Sequence, residues 1–519
     1  MIFKTDKKEK QFKFEVSIYL IKQKLLTMIK KLLLCISISF WFWTVSAQSP
    51  KRGIAYGNHS KNDILALQPG ISWWYNWSPE PETAINTDYQ SLSVEFVPMA
   101  WGKISDTDLQ AFIDKIKPGA KYLLAFNEPN FNDGARLTPQ EAVNAWGNIE
   151  KIAAAKNLEI VSASPAYNGP ANYGGISDPV VWHNQFFQLC PNCKVDYIAF
   201  HTYDDTAGSV IGVTGLLKKF NRPIWVTEFA NRVIQSAADK TAFMKQILTS
   251  FENDPDIYRY SWFTGRVPSN WTDMQEGQLL GADGVLRPIG TEYINVPYNS
   301  KKMTVPGRIT ANKHYRRKGT GLQATTDSGT GQNVCFSNAG DWNEFMINVA
   351  QAGTYNMTFR MAAFADGKFD ISVNGIKVKT DETFNATGDY QTWANKTVNG
   401  IALPQGEVYL RIHFKTNDLN FNFIDVAAAN LGVEDHSLEQ DSFTIYPNPV
   451  KNQSTLHIKS KVTEPLTLKI IDMKGDICFS SGDYFTNEDI KIGEKLAPGV
   501  YIVNASYGNI KKSVKIIKN

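Results

Sequence analysis

Residues 122–129 read YLLAFNEP, an apolar run that ends abruptly in Asn127 and Glu128. Residues 224–229, IWVTEF, repeat the arrangement, with Glu228 near the end of a second apolar run. Short, nearly continuous apolar runs are typical of parallel strands that are covered on both faces. The two stretches therefore predict two strands of one parallel sheet, and they place two carboxyl groups at the same edge of that sheet.

Eight such runs alternate with stretches of helical periodicity. The predicted strands span residues 52–57, 71–77, 94–101, 122–128, 159–165, 197–203, 224–229 and 260–264. The intervening stretch 138–155 is typical of a helix, since Thr138 can cap it, Pro139 follows and Glu141 stands at the third position. Eight strand–helix units predict an α/β domain, a (β/α)8 TIM barrel over residues 52–296. A doubly wound open sheet is the alternative, but no glycine-rich phosphate loop follows the first strand.

The pattern changes after the predicted barrel. Residues 308–428 read as short strands of period two separated by glycine and Asn-Gly turns, which predicts a β-sandwich of the jelly-roll kind. Residues 442–519 again read as short strands, with lysine-rich outer faces and an apolar end. We therefore expect a second, all-β domain and a small, all-β C-terminal domain.

The N-terminal residues predict export. Lys30 and Lys31 precede an apolar run that continues to Val45, and small residues close it, as in a cleaved secretory signal. We assign residues 1–47 to this signal, with Met28 as the natural start. A membrane anchor is the alternative, although the run is short for a span, so no stable span is expected after cleavage.

Net charge and cysteine content further limit the classes of protein to which this chain can belong. The 519 residues carry a net charge of +3, but the first 47 hold nine lysines and three acids, so the remainder carries −3. A nearly neutral mature chain is not attracted to nucleic acid as a whole. Cys190 and Cys193 form a lone CxxC pair, which in an exported protein predicts a local disulfide. Cys335 and Cys478 are expected to be single and buried.

The ends of the predicted strands collect acids and aromatic rings. If Glu128 and Glu228 lie about 5 Å apart, they suit retaining glycoside hydrolysis, in which one acid protonates the leaving oxygen and the other attacks the anomeric carbon. Flat aromatic faces suit the stacking of sugar rings. The candidate substrate-binding residues are Asn127, Trp73, Trp101, Tyr167, His201, Tyr203 and Trp262. Because His201 is the one histidine at these ends, we expect neither a catalytic metal nor a cofactor.

At these residues the chain resembles the retaining glycoside hydrolases of clan A, and most closely family 128, the Asl1-like endo-β-1,3-glucanases. The stretch 127–130, NEPN, is similar to that family's strand-four motif, which implies Glu128 as general acid/base. The stretch 227–229, TEF, is similar to its strand-seven motif, which implies Glu228 as nucleophile. The resemblance covers residues 52–296.

The second block resembles carbohydrate-binding module family 6. The stretches 340–342, GDW, and 387–393, TGDYQTW, carry the similarity. Such modules sandwich a sugar between aromatic rings beside an asparagine. The best matching positions are Phe336, Trp393 and Asn420. Residues 308–312 lack the two glutamates that bind structural calcium in that family, so calcium is not expected.

The third block resembles the C-terminal sorting domain of type IX secretion substrates, through residues 446–449, YPNP, and 496–502, LAPGVYI. The resemblance implies transport through the outer membrane by that machinery, followed by release or surface attachment. Together the three resemblances imply a secreted, retaining endo-β-1,3-glucanase of laminarin-like β-glucans. Two alternatives stay open: a hydrolase of another β-linked polysaccharide, and a catalytically silent surface glycan-binding protein.

Overall fold

The computed structural model describes residues 48–87, 89–167, 173–328, 331–429, 443–460, 463–508 and 510–519. The predicted signal, residues 1–47, lies outside them. The chain divides into two compact units, Met1–Ala427 and Ala428–Asn519. Within the described residues, no helix combines the length and the apolar character needed to cross a membrane.

The first part of the larger unit alternates strands with helices. Its strands are β1 (Arg52–Ala55), β2 (Trp73–Tyr75), β3 (Glu95–Phe96), β4 (Tyr122–Leu124), β5 (Glu159–Val161), β6 (Ala166–Tyr167), β7 (Ile198–Thr202), β8 (Ile224–Phe229) and β9 (Ile257–Trp262). Its helices are α1 (Lys61–Leu67), α2 (Leu109–Lys115), α3 (Pro139–Lys156), α4 (Pro179–Leu189), α5 (Ala207–Leu216), α6 (Ala237–Asn253) and α7 (Pro288–Asn295). The predicted cap of α3 is confirmed, because Thr138 and Glu141 form a capping box.

The strands pair in parallel, as predicted. Seven of them form one sheet in the order β3-β2-β1-β9-β8-β7-β6, and β4 pairs with β5. Isolated parallel bridges link the two sheets, at Met99–Leu124 and at Val161–Tyr197. These contacts support the eight-unit barrel, whose closure stays an interpretation because single bridges rather than continuous ladders join the two sheets.

Only the first part of the fifth predicted strand, 159–165, is a strand, and a separate short strand, β6, begins just beyond its predicted end. The first part, β5, pairs with β4, whereas β6 pairs with β7 in the register Ala166–His201. Pro165 lies between the two strands and has no N–H to donate to a ladder, which explains the interruption. The eighth predicted strand is also shifted, since β9 begins at Ile257 rather than at 260.

Two apolar layers hold this domain together. One lies between the strands and the helices and includes Trp262, Phe229 and Tyr293. The other lies on the opposite face of the strands and includes Trp73, Tyr75 and Trp225. The rings of Trp73 and Trp225 meet at a centroid distance of 4.9 Å. Aromatic burial on both sides of the strands fixes the strand ends from which the functional side chains project.

The second part of the larger unit is a β-sandwich, as predicted. One sheet has the order β10-β15-β20-β17-β18 and the other β13-β14-β21-β16-β19. The strands are β10 (Met303–Val305), β11 (Gly307–Thr310), β12 (Arg316–Lys318), β13 (Gly321–Ala324), β14 (Gln332–Cys335), β15 (Trp342–Val349), β16 (Gly353–Ala363), β17 (Gly367–Val373), β18 (Ile376–Phe384), β19 (Asp389–Leu403), β20 (Gly406–Phe414) and β21 (Asn420–Ala428).

The sandwich packs directly on the barrel through a junction of buried polar groups. Tyr315 donates to Glu252 Oε2 at 2.7 Å, and Arg317 binds both carboxylate oxygens of Asp256. Arg316 stacks on the ring of Tyr258, 4.4 Å from its centroid. The two domains are therefore held together by direct side-chain contacts and not by a linker alone.

The smaller unit is all β, as predicted. Its strands are β22 (Phe443–Tyr446), β23 (Ser454–Ile458), β24 (Pro465–Asp472), β25 (Ile477–Phe485), β26 (Asp489–Ile492), β27 (Gly499–Tyr507) and β28 (Ile510–Lys518). They form a sheet in the order β22-β23-β26 and another in the order β25-β24-β27-β28.

The cysteine predictions have mixed outcomes. The local disulfide Cys190–Cys193 is confirmed, and it follows the C-terminus of α4. Cys335 is buried, as expected. The expectation that Cys478 is buried is wrong, because it lies exposed on β25, the edge strand of its sheet.

Candidate active site

Two carboxyl groups meet where the strands end. Glu228 lies in β8, and Glu128 follows β4, where Asn127 bridges to Ser164. One oxygen of each glutamate and one ring nitrogen of His201 lie within 4.8 Å of one another. The structure thus brings together the pair of acids that the sequence places on non-adjacent strands, at a separation close to the one that retaining hydrolysis requires.

Glu128 is held by an unusual backbone. Its φ is 39°, in the left-handed region that a residue other than glycine rarely adopts. A Cβ atom at Gly134 would lie 2.1 Å from the Glu128 carbonyl oxygen, so only glycine lets the following loop return this closely. Asn130 secures the same loop, because its amide donates to the Ala166 carbonyl and accepts from the Ala166 N–H, both at 2.8 Å. Strain that is maintained by such contacts is common at functional sites.

Three donors converge on Glu228. The hydroxyl of Tyr75 and the indole N–H of Trp77 each donate to Oε1 at 2.9 Å. The hydroxyl of Tyr203 donates to Oε2. A carboxylate can accept all three hydrogen bonds, whereas a protonated acid loses part of that capacity. The donors therefore favour the ionised form that a nucleophile needs.

His201 lies between the two acids and is fully buried. Its Nδ1 is 2.9 Å from Glu128 Oε1, and its Nε2 is 3.6 Å from Glu228 Oε1. An ionised Glu128 only accepts, so Nδ1 then carries the hydrogen, whereas a protonated Glu128 can donate to an unprotonated Nδ1. The imidazole ring therefore lies close enough to both carboxyl groups to interact electrostatically with each of them.

Burial and charge act in opposite directions on Glu228. Burial raises the pKa of Glu228 above its ordinary value, and the nearby Glu128 adds to the rise. His201 and the donors Tyr203 and Trp77 act against it. The pKa values of the Tyr75 and Tyr203 hydroxyls are raised far above their usual range, first by burial and then by the Glu228 charge. Both tyrosines therefore stay protonated and remain donors.

The same three side chains, Glu128, His201 and Glu228, offer a set of oxygen and nitrogen ligands compact enough for a cation. The hydrogen bonds already described oppose this interpretation. Tyr75, Trp77 and Tyr203 occupy three of the roughly four acceptor positions of the Glu228 carboxylate, which leaves little capacity for a cation. The arrangement fits proton transfer and nucleophilic attack better than metal binding.

The other candidate substrate-binding residues divide into two groups. Trp101 is exposed, and Tyr167 and Tyr203 are half-buried. Asn127 is largely buried, and its Oδ1 has no hydrogen-bond partner among the described residues. These four therefore stay candidates for contact with a ligand, since each keeps exposed surface or an unpaired polar atom.

Two of the candidates require correction. Trp73 and Trp262 are fully buried, so neither presents a face to a sugar. Trp73 lies on the face of the strands opposite the helices and donates to the Lys51 carbonyl at 3.0 Å. Trp262 points to the helix side of the strands and donates to the Gly277 carbonyl at 2.7 Å. Both are packing residues.

The site also contains residues that the selection of candidates missed. Tyr75 and Trp77 donate to Glu228, whereas Trp73 on the same segment does not. Strand alternation could have found them, because positions 73, 75 and 77 share a face and the later two lie nearer the strand end. Phe263 and the exposed Trp271 extend the aromatic wall, with ring centroids 6.2 Å apart.

The sandwich carries a second candidate site. Phe336 is exposed, Trp393 is half-buried, and Asn420 is buried and donates to the Tyr390 carbonyl at 2.7 Å. The exposed rings of Phe364 and Tyr390, 6.1 Å apart, flank a cavity of about 550 Å³ that Asp366 and Lys415 also line. The exposed aromatic pair at this cavity is therefore Phe364 and Tyr390, and none of the three predicted residues, Phe336, Trp393 and Asn420, lines it.

Comparison with known proteins matches each part of the chain to a family. Residues 53–293 match the glycosyl hydrolase catalytic core, residues 310–430 the carbohydrate binding module of family 6, and residues 444–519 the secretion system C-terminal sorting domain. The fold, the paired acids and these matches define a secreted or cell-surface glycoside hydrolase with an appended carbohydrate module and sorting domain.

Individual relatives agree. An endo-β-1,3-glucanase of glycoside hydrolase family 128, subgroup II, from Sorangium cellulosum is 38% identical over 48% of this chain and 100% of its own, with a TM-score of 0.45. A second, from Pseudomonas viridiflava, is 34% identical over 49% of this chain and 100% of its own, with a TM-score of 0.44. Both enzymes are matched over their whole length at more than 30% sequence identity. The chain therefore belongs to glycoside hydrolase family 128.

A curated relative is more distant. Alkali-sensitive linkage protein 1 of Schizosaccharomyces pombe is 24% identical over 263 residues, which are 48% of this chain. The chain spans less than half of that protein, 45% of its length.

Proposed function

We propose that this protein is a secreted, retaining endo-β-1,3-glucanase that hydrolyses laminarin-like β-glucans by double displacement. The separation of the two carboxyl groups carries the proposal, since their nearest described oxygens lie within 4.8 Å. Retaining enzymes hold these groups about 5 Å apart, whereas inverting enzymes leave room for a water molecule between acid and sugar. The sequence identity to family members that cleave β-1,3-glucan supports the linkage.

In the first step Glu228 is the nucleophile. Its carboxylate attacks the anomeric carbon and forms a glycosyl ester, while the glycosidic C–O bond breaks. Glu128 gives its proton to the departing oxygen, so that the leaving glucan ends in a hydroxyl group. Glu128 is the more accessible of the two, at 18% side-chain exposure against 5%, which suits exchange of protons with substrate and water.

In the second step Glu128 acts as a base. It removes a proton from a water molecule, whose oxygen attacks the same anomeric carbon and breaks the ester bond to Glu228. The free acid and the free carboxylate are restored, and the configuration at the anomeric carbon is retained. Tyr75, Trp77 and Tyr203 stabilise the Glu228 carboxylate before and after the covalent stage.

Asn127 and the aromatic side chains bind the sugar. The free Oδ1 of Asn127 and its neighbouring amide lie beside Glu128, where a hydroxyl group of the reacting sugar would be held. Trp101 offers an exposed ring next to Asn127, whose N–H donates to the Trp101 carbonyl at 2.8 Å. The sandwich binds additional glycan between Phe364 and Tyr390, whose backbone carbonyl accepts from Asn420, and this keeps the enzyme on its polymer.

The test is sugar release by residues 48–429, which keep the barrel together with the sandwich, on laminarin, lichenan and agarose. We expect oligosaccharides from laminarin, with the β-anomer as the first product in a time-resolved NMR spectrum. Glu228→Gln should abolish release while the melting temperature stays unchanged. An active Gln variant, or a first product of the α-anomer, would contradict the proposal.

A matched variant separates the two carboxyl roles. Glu128→Gln should lose activity on laminarin but keep it on an aryl β-glucoside with a good leaving group, which departs without protonation. If both substrates lose activity equally, Glu128 is not the acid. Binding of laminarin without any sugar release on the panel would favour the silent glycan-binding alternative, and cleavage of agarose alone would favour a different polysaccharide.

A further inference from the structure

The indole of Trp77 is a donor to the nucleophile, and its position depends on a strained turn. Trp77 follows β2 and has a φ of 60°, in the left-handed region. Its Nε1 donates to Glu228 Oε1 at 2.9 Å. A bulky residue adopts this backbone only where its surroundings impose it. The contacts of the turn therefore decide whether the donor stays in place.

Asn76 forms the inner part of that turn. Its Oδ1 accepts from the Ser78 N–H at 3.1 Å, which closes the turn around Trp77. Its Nδ2 donates to the Glu80 carbonyl at 3.1 Å and to Glu82 Oε2 at 3.3 Å. The side chain thus connects the Trp77 turn to a carboxylate outside the active site.

Glu82 is that carboxylate, and it is more than nine-tenths buried. Besides Asn76 it binds the Nε1 of Trp74 at 3.1 Å and the Nδ1 of His59 at 2.9 Å. Trp74 belongs to β2 and His59 to the loop after β1, so one carboxylate joins two strand ends to the turn. A buried carboxylate that accepts from several donors fixes their positions. Without it, each buried donor would lack a hydrogen-bond partner, which costs free energy.

We propose that Glu82 is a positioning residue for catalysis, which holds the Asn76–Trp77 turn so that the Trp77 indole donates to the nucleophile Glu228. The proposal rests on the proposed function, in which Glu228 attacks the sugar. Glu82 touches neither Glu128 nor Glu228 and acts through Asn76 and Trp77. His59 is the titratable group that faces Glu82, and His201, Glu128, Tyr75 and Tyr203 are those that face Glu228.

The expected effect of Glu82→Gln has a definite direction. The amide keeps one acceptor oxygen but turns an NH₂ group toward donors, so the turn loosens. Loss of a donor destabilises the Glu228 carboxylate, which raises its pKa further and moves the acid limb of the kcat/KM profile to higher pH. The kcat falls by about ten- to a hundredfold, the effect of a small misplacement of a catalytic group.

The experiment is a double-mutant cycle in the full-length chain, with Glu82→Gln, Trp77→Phe and both together. Phenylalanine lacks the indole N–H, so in the Trp77→Phe background the Glu82 change should cause no further shift of the acid limb. Glu80→Gln is the matched control, since its side chain lies in the same loop without contacting Asn76 or Trp77, and its profile should equal that of the wild type. Equal and additive shifts in the two backgrounds would overturn the proposal.

Two further measurements keep the outcome decisive. The indole N–H resonance of Trp77, assigned by its loss in Trp77→Phe, should move and exchange faster with water in Glu82→Gln, and this readout needs no substrate. If Glu82→Gln does not fold, Asn76→Ala breaks the same connection and should show the same changes. An unaltered Trp77 resonance in either variant refutes the proposal, whereas a wild type that cleaves no glycan refutes the proposed function alone.

Discussion

His201 Nδ1 lies 2.9 Å from Glu128 Oε1, and the ring is entirely shielded from solvent. Burial by itself lowers the pKa of His201, but the charge of Glu228 and the contact with Glu128 outweigh it, so that the pKa lies above its ordinary value. The two acids therefore favour the protonated, positively charged ring more than solvent would. Its positive charge opposes the rise in the pKa of Glu228 that burial causes.

Replacing His201 by Gln should move the acid limb of kcat/KM to higher pH. The amide can still donate to Glu128 but carries no charge, so the Glu228 carboxylate loses electrostatic support and takes up a proton at a higher pH. We expect kcat to fall by about tenfold or more at the wild-type optimum. The pH profile on laminarin measures this, and an acid limb that stays in place would contradict it.

Trp101 and Trp262 should respond differently to the same substitution. Trp101→Ala removes an exposed ring beside Asn127, so KM should rise while the melting temperature stays constant. Trp262→Ala removes a fully buried indole, and the free energy of unfolding should fall by about 3–5 kcal/mol with little change in KM for the molecules that remain folded. Calorimetry and initial rates distinguish them, and a KM effect confined to Trp262 would reverse our assignment.

Stability should decrease as the pH falls from about 6.5 toward 4. Burial lowers the pKa of His183 to about 4, and those of His314 and His413 also lie at about 4, first because of burial. The unfolded chain takes up these protons below about pH 6.5, whereas the folded chain remains neutral, so acid favours unfolding. His183 alone accounts for roughly 3 kcal/mol at most.

His183→Gln tests this, because glutamine can donate to the Ala199 carbonyl as the imidazole Nε2 does, but does not titrate. Its free energy of unfolding should depend less on pH between 4 and 6.5 than that of the wild type. A slope in His183→Gln equal to that of the wild type would show the prediction to be wrong.

The barrel should be less stable without the sandwich. Ending the chain at residue 296 removes Tyr315 from Glu252 and Arg317 from Asp256, and it exposes Tyr258. We expect residues 48–296 to melt at least about 4 °C below residues 48–429, which corresponds to roughly 1–2 kcal/mol for a domain of this size. Residues 48–429 should melt in one transition. Two separate transitions would indicate that the domains unfold independently.

The features that could be predicted from the sequence are those marked by a regular pattern of apolar and polar residues. Apolar runs predicted the strands, and the polar groups at their ends identified Glu128 and Glu228 as candidates. The position of a side chain along a strand was harder to predict. Trp73, Tyr75 and Trp77 share a face, but only Tyr75 and Trp77 reach the carboxylate of Glu228. In the sandwich, exposure decided between neighbours, because Tyr390 lines the cavity and Trp393 does not.

Contacts between distant segments could not be predicted at all. Glu82 lies in an irregular stretch between β2 and β3, and nothing in its neighbourhood distinguishes it from a solvated glutamate. Its partners His59 and Trp74 become neighbours only when parallel strands align. The junction of barrel and sandwich is similar, since Tyr315 and Glu252 are separated by 63 positions and neither stands in a motif.

The junction also limits how such enzymes can be recombined. Arg316 and Arg411 both bind the buried Glu344 beneath the barrel, and Trp342 packs on Tyr258. In the native protein Lys51 packs on the ring of Tyr315, and Tyr258 packs on Arg316. A chimera that receives a foreign carbohydrate module at a boundary near residue 300 would leave Lys51 and Tyr258 against an unrelated surface without these partners. Module exchange should therefore transplant the contact residues on both sides, and the module is better regarded as a second half of the enzyme than as a detachable tether.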